Sequence, residues 1–443
     1  MRIHILGISG TFMAGVAILA KQLGHKVSGS DKNIYEPMKS VLLKEKIKVI
    51  KNYNPKVLEQ NIDLIIVGNV MTRGMPIIEK LLESNIKFIS GPQWLRENIL
   101  INKKVIAVAG THGKTTTSSM ITWILKYLKI KPSYLIGGLP QNLDAPAKLE
   151  NSNYFVIEAD EYDTAFFDKR SKFIHYKPDI LIINNIEFDH ADIFQDINSI
   201  IKSFHHLVRL IPRSGSIIYD SSDTNIKKLL KLGNWSKLIP LGFKKNKNIK
   251  WNLLENNKKY FLNKKEISMN SIGLHNFKNA SFSIIAASLL KVPLSKSLDA
   301  MKNFSGVKRR MEKVGNIKYL NSPIDIFDDF AHHPTEIKYS IKSLKEKFKG
   351  KKLLSICEVK SNSMLQGIHK KELYKSLQMS DLSLVFSNKK IEWKFEKRKG
   401  SKITMTDSFS MINKYIKKNI KNIDLILIMS NADTKNIIKS IKT

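Results

Sequence analysis

Cysteine is almost absent from this chain of 443 residues, which contains only Cys357. A single cysteine excludes an internal disulfide framework and fits a protein of a reducing cytoplasm. Long apolar runs are also lacking, since no segment approaches the ~20 apolar residues that a membrane-spanning helix needs. The brief apolar run after Met1 is predicted to be a first strand rather than a signal peptide. We therefore expect a cytoplasmic protein with no membrane segment.

Acidic residues are scarce relative to basic ones. The 74 Lys and Arg outnumber the 39 Asp and Glu, which gives a formal net charge of +35. Such an excess first suggests nucleic acid or a membrane surface as a partner. Only nine of the basic residues are arginine, however, and the lysines are spread along the chain, with dense stretches at 244–250 and 389–402. A solvated basic surface is the favoured interpretation. We therefore expect no specific nucleic-acid partner, and only nonspecific binding of nucleic acid at low salt.

Length and composition predict several globular domains. With 42% hydrophobic and 26% charged residues the chain has the balance of a globular protein, and its length suits about two to four domains. We predict an α/β protein of three domains: an N-terminal Rossmann-like domain over 1–100, a central P-loop ATPase-like domain over 101–305 and a C-terminal Rossmann-like domain over 306–443. Parallel sheets are expected in them.

The most specific motif is a phosphate-binding loop. Residues 105–117, V-I-A-V-A-G-T-H-G-K-T-T-T, form an apolar β-branched run, a glycine turn, a lysine and hydroxyls, and a helical pattern follows over 118–127. Turn glycines let backbone N–H groups face an anion, and the next helix adds the positive end of its dipole. Lys114 is predicted to reach the terminal phosphates, and the threonine after it to bind Mg²⁺. Val108 stands where the common G-x-x-x-x-G-K-[ST] pattern has its first glycine, so the strand should run further before it turns.

A second glycine turn opens the chain. A predicted strand is followed by glycines at positions 7, 10 and 15, a helix to Leu23 and a second strand that ends at Asp31. The spacing differs from the dinucleotide pattern G-x-G-x-x-G, so we predict only a helix N-terminus that faces an anion and an Asp31 available to a ribose or base. Two further strands are expected at 47–50 and 63–68. Segment 69–74 should then lie at the sheet edge where ligands bind.

Polar clusters follow two predicted strands of the central part. Glu158 and neighbouring acids follow a strand over 154–157, and the cluster N-N-I-E-F-D-H-A-D at 184–192 follows a strand over 178–183. Carboxylates beyond a strand are where a nucleotide-triphosphate enzyme needs a Mg²⁺ ligand. We favour a functional role for Glu158 and His190.

Other polar residues leave alternatives open. Asp163 and Asp192 could serve only as helix caps. His275, Asn276 and Asn279 recur at roughly helical spacing, and such amides could recognise an adenine edge or simply cap and pack a helix. Zinc is not expected at the histidines of the C-terminal H-H-P segment, because no third or fourth Cys or His lies at useful spacing.

The C-terminal part predicts another doubly wound domain. Segment 327–336, F-D-D-F-A-H-H-P-T-E, should be a strand that runs through an Asp/His turn, with Pro334 at the start of a helix. Further strands are predicted at 352–358, 381–386 and 424–429, and helical segments alternate with them.

These motifs carry a family resemblance. G-T-H-G-K-T-T, E-A-D-E-Y-D, N-N-I-E-F-D-H-A-D, H-N-F-K-N, R-R-M-E and D-D-F-A-H-H-P follow one another in an order and spacing that resemble the ATP-dependent Mur ligases over nearly the whole chain. The N-terminal G-I-S-G-T-F-M-A-G-V-A is similar to the branch that binds UDP-N-acetylmuramate. N-V-M-T-R-G, S-G-P-Q-W-L and A-F-F-D-K-R-S-K-F resemble the members that add the tripeptide L-Ala-γ-D-Glu-meso-diaminopimelate in cell-wall peptide recycling. Members that add L-alanine typically begin G-x-G-G-x-G-M-S-G.

The resemblance implies an ATP-dependent ligase of the C–N bond-forming class, with ATP and Mg²⁺ as cofactors and a monomeric state. A carboxylate of the sugar's lactyl group would attack the γ-phosphate of ATP, and the peptide amine would then displace phosphate from the acyl phosphate. The protein would mainly position its partners and neutralise charge. Some members carry a carbamoylated lysine, but here His205 and His206 fall in the corresponding stretch, and we do not predict the modification.

The resemblance also implies the site residues. Lys114, His190 and Arg310 would be catalytic, and Thr115, Glu158 and His190 would be metal ligands. ATP would contact Gly110, Thr111, His112, Gly113, Lys114, Thr115, Thr116, Asn276, Asn279, Arg310 and Asp329. Sugar and peptide would contact Gly7, Gly10, Thr11, Ser30, Asp31, Thr72, Arg73, Lys360, Ser361 and Asn362.

Two departures from the family pattern lie in the C-terminal part. Relatives typically carry arginine where this chain has Lys360, and a lysine lacks the fork that grips a carboxylate bidentately. Segment 429–436, M-S-N-A-D-T-K-N, has none of the glycines typical of M-S-N-G-G-F-G-G, so it should be unable to supply a positive φ. Two alternatives therefore stay open: an L-alanine-adding ligase, and a degenerate ATP- or nucleic-acid-binding protein without ligase activity.

Overall fold

A computed structural model describes residues 1–34, 36–319, 322–396 and 402–442. The chain forms two compact units: the first comprises Met1–Phe188, Asp196–Asn270 and Lys278–Ser305, and the second comprises Asp189–Gln195, Ser271–Phe277 and Gly306–Thr443. Every helix in the described ranges is too short or too polar to cross a bilayer.

The N-terminal sheet is parallel throughout, in the order β3-β2-β1-β4-β5. Strands β1 and β4 are buried except at their first residues, as expected of central strands that helices cover on both faces. The elements are β1 (Arg2–Leu6), α1 (Thr11–Gln22), β2 (Lys26–Asp31), α2 (Met38–Lys44), β3 (Lys48–Lys51), β4 (Leu64–Val67), α3 (Pro76–Glu83), β5 (Phe88–Ser90) and α4 (Gly91–Asn98).

The central sheet belongs to the same unit and contains the strand that precedes the phosphate-binding loop. Its elements are β6 (Lys104–Ala109), α5 (Lys114–Tyr127), β7 (Ser133–Leu135), β8 (Ala147–Lys148), β9 (Tyr154–Glu158), β10 (Asp163–Ala165), β11 (Asp168–Ser171), β12 (Ile180–Ile183), α6 (Ile197–Val208), β13 (Ser216–Asp220), α7 (Thr224–Lys231), β14 (Lys237–Gly242), β15 (Trp251–Asn256), β16 (Lys259–Leu262), β17 (Lys265–Ile267), α8 (Leu274–Leu289) and α9 (Leu294–Lys302).

Strand order places β6 at a change of direction in the central sheet. The order is β17-β16-β15-β14-β13-β12-β6-β9-β7-β8, with β10 and β11 forming a separate antiparallel hairpin. From β6 the chain first builds strands on the β9 side and later returns to build strands on the β12 side. Loops at such a switch point form the crevice where open α/β sheets bind ligands.

The C-terminal sheet has the order β18-β19-β23-β20-β21-β22 and is parallel except for β18. Its strands pack between two apolar layers, one of which is built around α10 and the other around α13 and α14. The elements are β18 (Glu312–Tyr319), β19 (Ser322–Asp329), α10 (Pro334–Lys347), β20 (Leu353–Glu358), α11 (Asn362–Leu365), α12 (Lys370–Leu377), β21 (Leu382–Phe386), β22 (Ile403–Thr406), α13 (Phe409–Asn419), β23 (Leu425–Met429) and α14 (Lys435–Lys442).

Two details differ from the sequence-based expectations. The helix after the phosphate-binding loop begins at Lys114 rather than at residue 118, because Gly113 caps it in a left-handed conformation and the threonines that follow are buried. Asp163 does not cap a helix but opens β10, where it pairs with Lys169 at 2.9 Å. The caps of α6 and α7 are Asp196 and Asp223 instead.

Candidate functional site

Three strand ends meet around the loop that follows β6. Val108 pairs with Glu158 of β9, and Ala109 pairs with Ile183 of β12. The parallel register therefore delivers the loop, the acidic segment after β9 and the asparagines after β12 to the same edge. Glu158 therefore lies beside the loop, and its role as a metal ligand stays a prediction.

The loop backbone depends on two glycines with left-handed φ. Gly110 has φ 128° and Gly113 has φ 81°. A Cβ on Gly113 would lie 2.7 Å from the Asn184 amide nitrogen and 2.8 Å from the Asn279 Oδ1, closer than real contacts allow. Because Gly113 also caps α5 without any side chain, the first N–H groups of the helix are open to an anion.

Two adjacent asparagines hold the loop in shape. The Asn185 Oδ1 accepts from the His112 N–H at 2.8 Å, and the Asn184 amide donates to the His112 carbonyl at 3.1 Å. Thr111 closes the same turn, since its hydroxyl accepts from the Glu187 N–H at 2.9 Å. The sequence placed these asparagines in a polar cluster, but their role as clamps of the loop was missed.

Lys114 is buried in a pocket of carboxylates. Its Nζ lies 3.0 Å from Glu161 Oε2 and 3.7 Å from Asp160, and it donates to the Gly110 carbonyl at 2.8 Å. Burial opposes its charge, but Glu161, Asp160 and Glu158 outweigh burial and hold the pKa of Lys114 well above its usual range. The lysine is thus fixed as a cation at the loop, and the pairing with Glu161 is a contact that the sequence did not predict.

Thr115 and Glu158 form the candidate metal site. The Thr115 hydroxyl donates to Glu158 Oε1 at 3.0 Å, and the Gly137 N–H donates to Oε2 at 2.7 Å. Burial and the neighbouring charge of Asp160 raise the pKa of Glu158 to about 7, although Lys114 opposes the shift. Two buried hard oxygens, one of them on a carboxylate, suit the ligand preference of Mg²⁺.

The N-terminal glycine turn is closed by Asp31. Its carboxylate accepts from the Ser9 N–H at 2.9 Å and from the Tyr53 hydroxyl at 3.3 Å, so it shapes the turn from within. The Ser30 hydroxyl is 2.8 Å from the His4 ring Nε2. Helix α1 begins at Thr11 after Gly10, which has no side chain to cap it, and Gly7 supplies a φ of 80°. The backbone of this turn, more than the Asp31 carboxylate, is therefore placed to meet a ligand.

Thr72 and Arg73 are exposed after β4, as the predicted edge position requires. Arg73 pairs bidentately with Glu79, with the Nε at 3.1 Å and the Nη2 at 3.0 Å from its oxygens. Solvent-exposed pairs of this kind contribute little to stability, and the predicted contact of Arg73 with the substrate stays a prediction.

Both predicted adenine contacts lie on helix α8. Asn279 is buried against Gly113 of the phosphate-binding loop. Asn276 lies one turn earlier and donates to the Ile272 carbonyl at 2.8 Å. Their roles toward adenine stay predictions.

In the second unit, Asp329 ends β19 as a buried carboxyl. It accepts from the Ser340 hydroxyl at 2.8 Å. Burial raises the pKa of Asp329 to about 6, although Arg310 opposes the shift. The Arg310 Nη1 lies 3.5 Å from Glu336 Oε1, and its guanidinium stands 5.0 Å from the centre of the Phe330 ring.

Segment 189–195 also belongs to the second unit. His190 has φ 55°, and its N–H is bonded to the Asp189 carboxylate at 2.7 Å. Asp192 is not a helix cap, because its carboxylate accepts from the Asn362 amide at 3.3 Å. Ser361 precedes α11 as its cap residue.

The glycine-free segment after β23 closes without left-handed backbone. Residues 430–436, which lie within the described range 402–442, have no positive φ. Side chains shape the segment instead: the Thr434 hydroxyl donates to Asp328 at 2.9 Å, and Ser430 donates to the buried Glu358. Lys360 faces the same carboxylate, with its Nζ 3.7 Å from Glu358 Oε1. The expectation that this segment supplies no positive φ is confirmed, and its effect on peptide binding stays a prediction.

Comparisons with known proteins agree with these three sheets. Residues 2–101 match the model of the Mur ligase family catalytic domain, 108–287 that of the Mur ligase middle domain and 309–432 that of the Mur ligase glutamate ligase domain. A UDP-N-acetylmuramate–L-alanyl-γ-D-glutamyl-meso-2,6-diaminoheptandioate ligase of Escherichia coli is 45% identical over 402 residues, covering 89% of this chain and 86% of that protein. The chain belongs to the Mur ligase family.

Two further Mur ligases are similar to this chain. The crystal structure of a murein peptide ligase from Psychrobacter arcticus has a TM-score of 0.77 and 36% identity, and the match covers 100% of this chain and 99% of that one. A UDP-N-acetylmuramate–L-alanine ligase of Dictyoglomus turgidum is 32% identical over 352 residues, covering 78% of this chain and 73% of that protein. The predicted family, its three-domain α/β fold and its ATP-dependent, C–N bond-forming ligase class are confirmed.

The structure brings one group of predicted site residues together within the first unit. Arg310, Asp329 and His190 belong to the second unit, so their action at ATP and its metal stays a prediction. Lys360 belongs to the same unit, and its contact with the peptide also stays a prediction. The residues gathered at the phosphate-binding loop are Gly110, Thr111, His112, Gly113, Lys114, Thr115, Glu158 and Asn279.

Proposed function

We propose that this Mur ligase joins the tripeptide L-Ala-γ-D-Glu-meso-diaminopimelate to UDP-N-acetylmuramate at the expense of ATP, in cell-wall peptide recycling. The observation that carries the proposal is the buried group of Lys114, Thr115 and Glu158 at the start of α5, where no side chain occupies the first N–H groups. It supplies a fixed cation, open N–H groups and two hard oxygens, which are the groups that phosphoryl transfer from ATP requires.

The choice of tripeptide over alanine rests on the relatives. The tripeptide ligase of E. coli is 45% identical and the alanine ligase of D. turgidum is 32% identical to this chain. The third possibility, a degenerate binding protein, is not favoured, since the phosphate-binding loop keeps its glycines and its lysine is still held by Glu161.

The reaction follows in two steps. A carboxylate oxygen of the sugar's lactyl group attacks the γ-phosphorus of ATP, the bond to the β-phosphate oxygen breaks and ADP leaves with that electron pair. The peptide amine then attacks the acyl carbonyl, loses a proton, and phosphate leaves. Lys114 and the N-terminus of α5 stabilise the charge on the phosphates, and the two asparagines that clamp the loop keep these donors in position.

Mg²⁺ fits the oxygens of Thr115 and Glu158, which would hold it. When bound, it would neutralise charge on the phosphate oxygens. The buried free thiol of Cys357 suits a reducing cytoplasm, where we place the enzyme.

An amine panel tests the proposal. ADP formation is followed with UDP-N-acetylmuramate, Mg²⁺-ATP and either the tripeptide, a tetrapeptide, a pentapeptide or L-alanine, and products are identified by mass. We expect ADP and ligated product with the tripeptide and neither with alanine alone. Turnover with alanine would instead assign the chain to the L-alanine-adding activity. Salt-sensitive RNA binding with no amine-dependent ADP would favour a binding protein.

A further inference from the structure

Lys172 is a buried lysine that the mechanism above does not use. It directly follows β11, the second strand of the hairpin formed by β10 and β11. The residue is buried, with 7% of its surface exposed. Lysine is almost never fully buried unless it is paired. Its place therefore needs an explanation.

No protein anion pairs with this lysine. Across the described ranges 1–34, 36–319, 322–396 and 402–442, its ammonium has neither a hydrogen bond nor an ion pair, and it faces the rings of Phe12 at 5.1 Å and Tyr162 at 5.3 Å. Lys114 differs in being paired, since its Nζ lies 3.0 Å from Glu161 Oε2. Burial lowers the pKa of Lys172 despite the acids nearby, whereas the acids prevail at Lys114. A buried and unpaired ammonium is costly to the free protein.

The surroundings of Lys172 indicate which ligand would pair with it. Phe12 lies in the first turn of α1, directly after the glycine turn of the N-terminal domain. The Tyr162 ring lies near both lysines, with the ammonium of Lys114 5.8 Å and that of Lys172 5.3 Å from its centre. Lys172 thus stands between the turn expected to meet the UDP-sugar and the loop expected to meet ATP. Both sides of this arrangement lie within the first compact unit.

We propose that Lys172 binds the lactyl carboxylate of the UDP-sugar and aims it at the γ-phosphate. This inference rests on the proposed function. One carboxylate oxygen accepts from the ammonium, and the other attacks phosphorus while the bond to ADP breaks. In the second step the ammonium donates to the acyl oxygen as the amine attack places negative charge on it, which is stabilisation by a fixed donor.

The hairpin itself provides a matched control. Lys169 lies three residues earlier, is exposed and already pairs with Asp163 at 2.9 Å. Lys169→Met therefore removes the same charge from the same hairpin without touching the space between Phe12 and Tyr162.

The test compares two nucleotide sugars that differ only in the lactyl group. Binding of UDP-N-acetylmuramate and UDP-N-acetylglucosamine to the full chain is measured by calorimetry for the wild type, Lys172→Met, Lys172→Arg and Lys169→Met. We expect Lys172→Met to weaken UDP-N-acetylmuramate about 10- to 100-fold, the effect of losing one charge-assisted hydrogen bond. UDP-N-acetylglucosamine should bind unchanged, which also shows that the variant is folded. Lys172→Arg should keep part of the preference, and Lys169→Met should keep all of it.

A thermal readout separates binding from a structural role. Without ligand, Lys172→Met should raise the Tm, because an apolar side chain replaces an unpaired buried charge. A fall in Tm together with an unchanged preference for UDP-N-acetylmuramate would overturn the proposal. So would a carbamate on Lys172 in the intact mass, since it removes the cation. If the wild type itself shows no preference between the two sugars, the proposed function fails as well, and this outcome is distinct from the other two.

Discussion

The two strand-end edges that carry the predicted site are built in opposite ways. At the phosphate-binding loop after β6, the backbone itself makes the shape, through left-handed glycines at 110 and 113. After β23, residues 430–436 have no left-handed φ, and hydrogen bonds from Ser430 and Thr434 to buried acids make the turn. Phosphate recognition by N–H groups tolerates few backbone shapes, whereas a turn held by side chains can change its residues and still close.

This contrast predicts that the largest functional effect lies at Lys114. Lys114→Ala should abolish turnover, by about 10³-fold or more, because the fixed cation at the phosphates is lost. The substitution should also lower the stability of the protein. Asp160 and Glu161 lose their buried partner, which costs about 3–5 kcal/mol.

A double variant separates the two effects. The double variant Lys114→Ala/Glu161→Gln also removes the charge of an acid that pairs with Lys114. The Tm of the double variant should therefore recover toward that of the wild type, while turnover stays absent. Retained ligation by Lys114→Ala in a steady-state ADP assay would contradict the phosphate assignment.

Alanine at Gly113 tests the backbone side of the comparison. Gly113→Ala should destabilise the first unit by about 4 kcal/mol, the sum of left-handed strain and of overlap with the Asn184 and Asn279 amides. ATP affinity, measured by calorimetry with a non-hydrolysable analogue, should fall with it. The converse variant Ala432→Gly, in the other turn, should change stability by less than about 1 kcal/mol. Equal effects at the two positions would remove the contrast between the edges.

The raised pKa of Asp329 predicts a pH dependence of the second unit. With a pKa near 6 in the folded chain and 3.8 as the reference value, the folded state binds more protons between these values. The contribution of Asp329 to stability is therefore fully present below about pH 4 and is lost, by about 3 kcal/mol in total, as pH rises through 6. Hydrogen exchange of β19 amides in the ligand-free enzyme, corrected for intrinsic rates, should show this slope. Asp329→Asn should abolish it, and an unchanged slope would place the titrating group elsewhere.

The smallest predicted effect is at Lys360. Lys360→Arg should lower the KM for the tripeptide by about 2- to 10-fold, since a guanidinium grips a carboxylate bidentately, and should leave the KM for ATP unchanged. Lys352→Arg, at the opposite end of β20, is the matched control. No change in the peptide KM would remove Lys360 from the site.

Much of the fold could be predicted from local pattern. Apolar runs ending in polar clusters marked β6, β9, β12 and the C-terminal strands, because buried parallel strands are continuous in sequence. The hairpin β10–β11 and the meander β15–β17 were missed, since short polar strands carry little periodic signal. Glu158 was predicted to share a metal ion with Thr115; the two side chains are hydrogen-bonded, and the metal stays a prediction. The partners of Lys114 and the clamp formed by Asn184 and Asn185 were missed, because side-chain pairing depends on register and burial that one sequence does not display.

Oxygen-18 transfer tests the central claim most directly. UDP-N-acetylmuramate labelled in its lactyl carboxylate is incubated with ATP, Mg²⁺ and the tripeptide, and the released phosphate is analysed by mass spectrometry. A carboxylate-activating ligase leaves one carboxylate oxygen on the phosphate, so labelled phosphate should appear in step with the ligated product. Unlabelled phosphate formed alongside product would contradict the account.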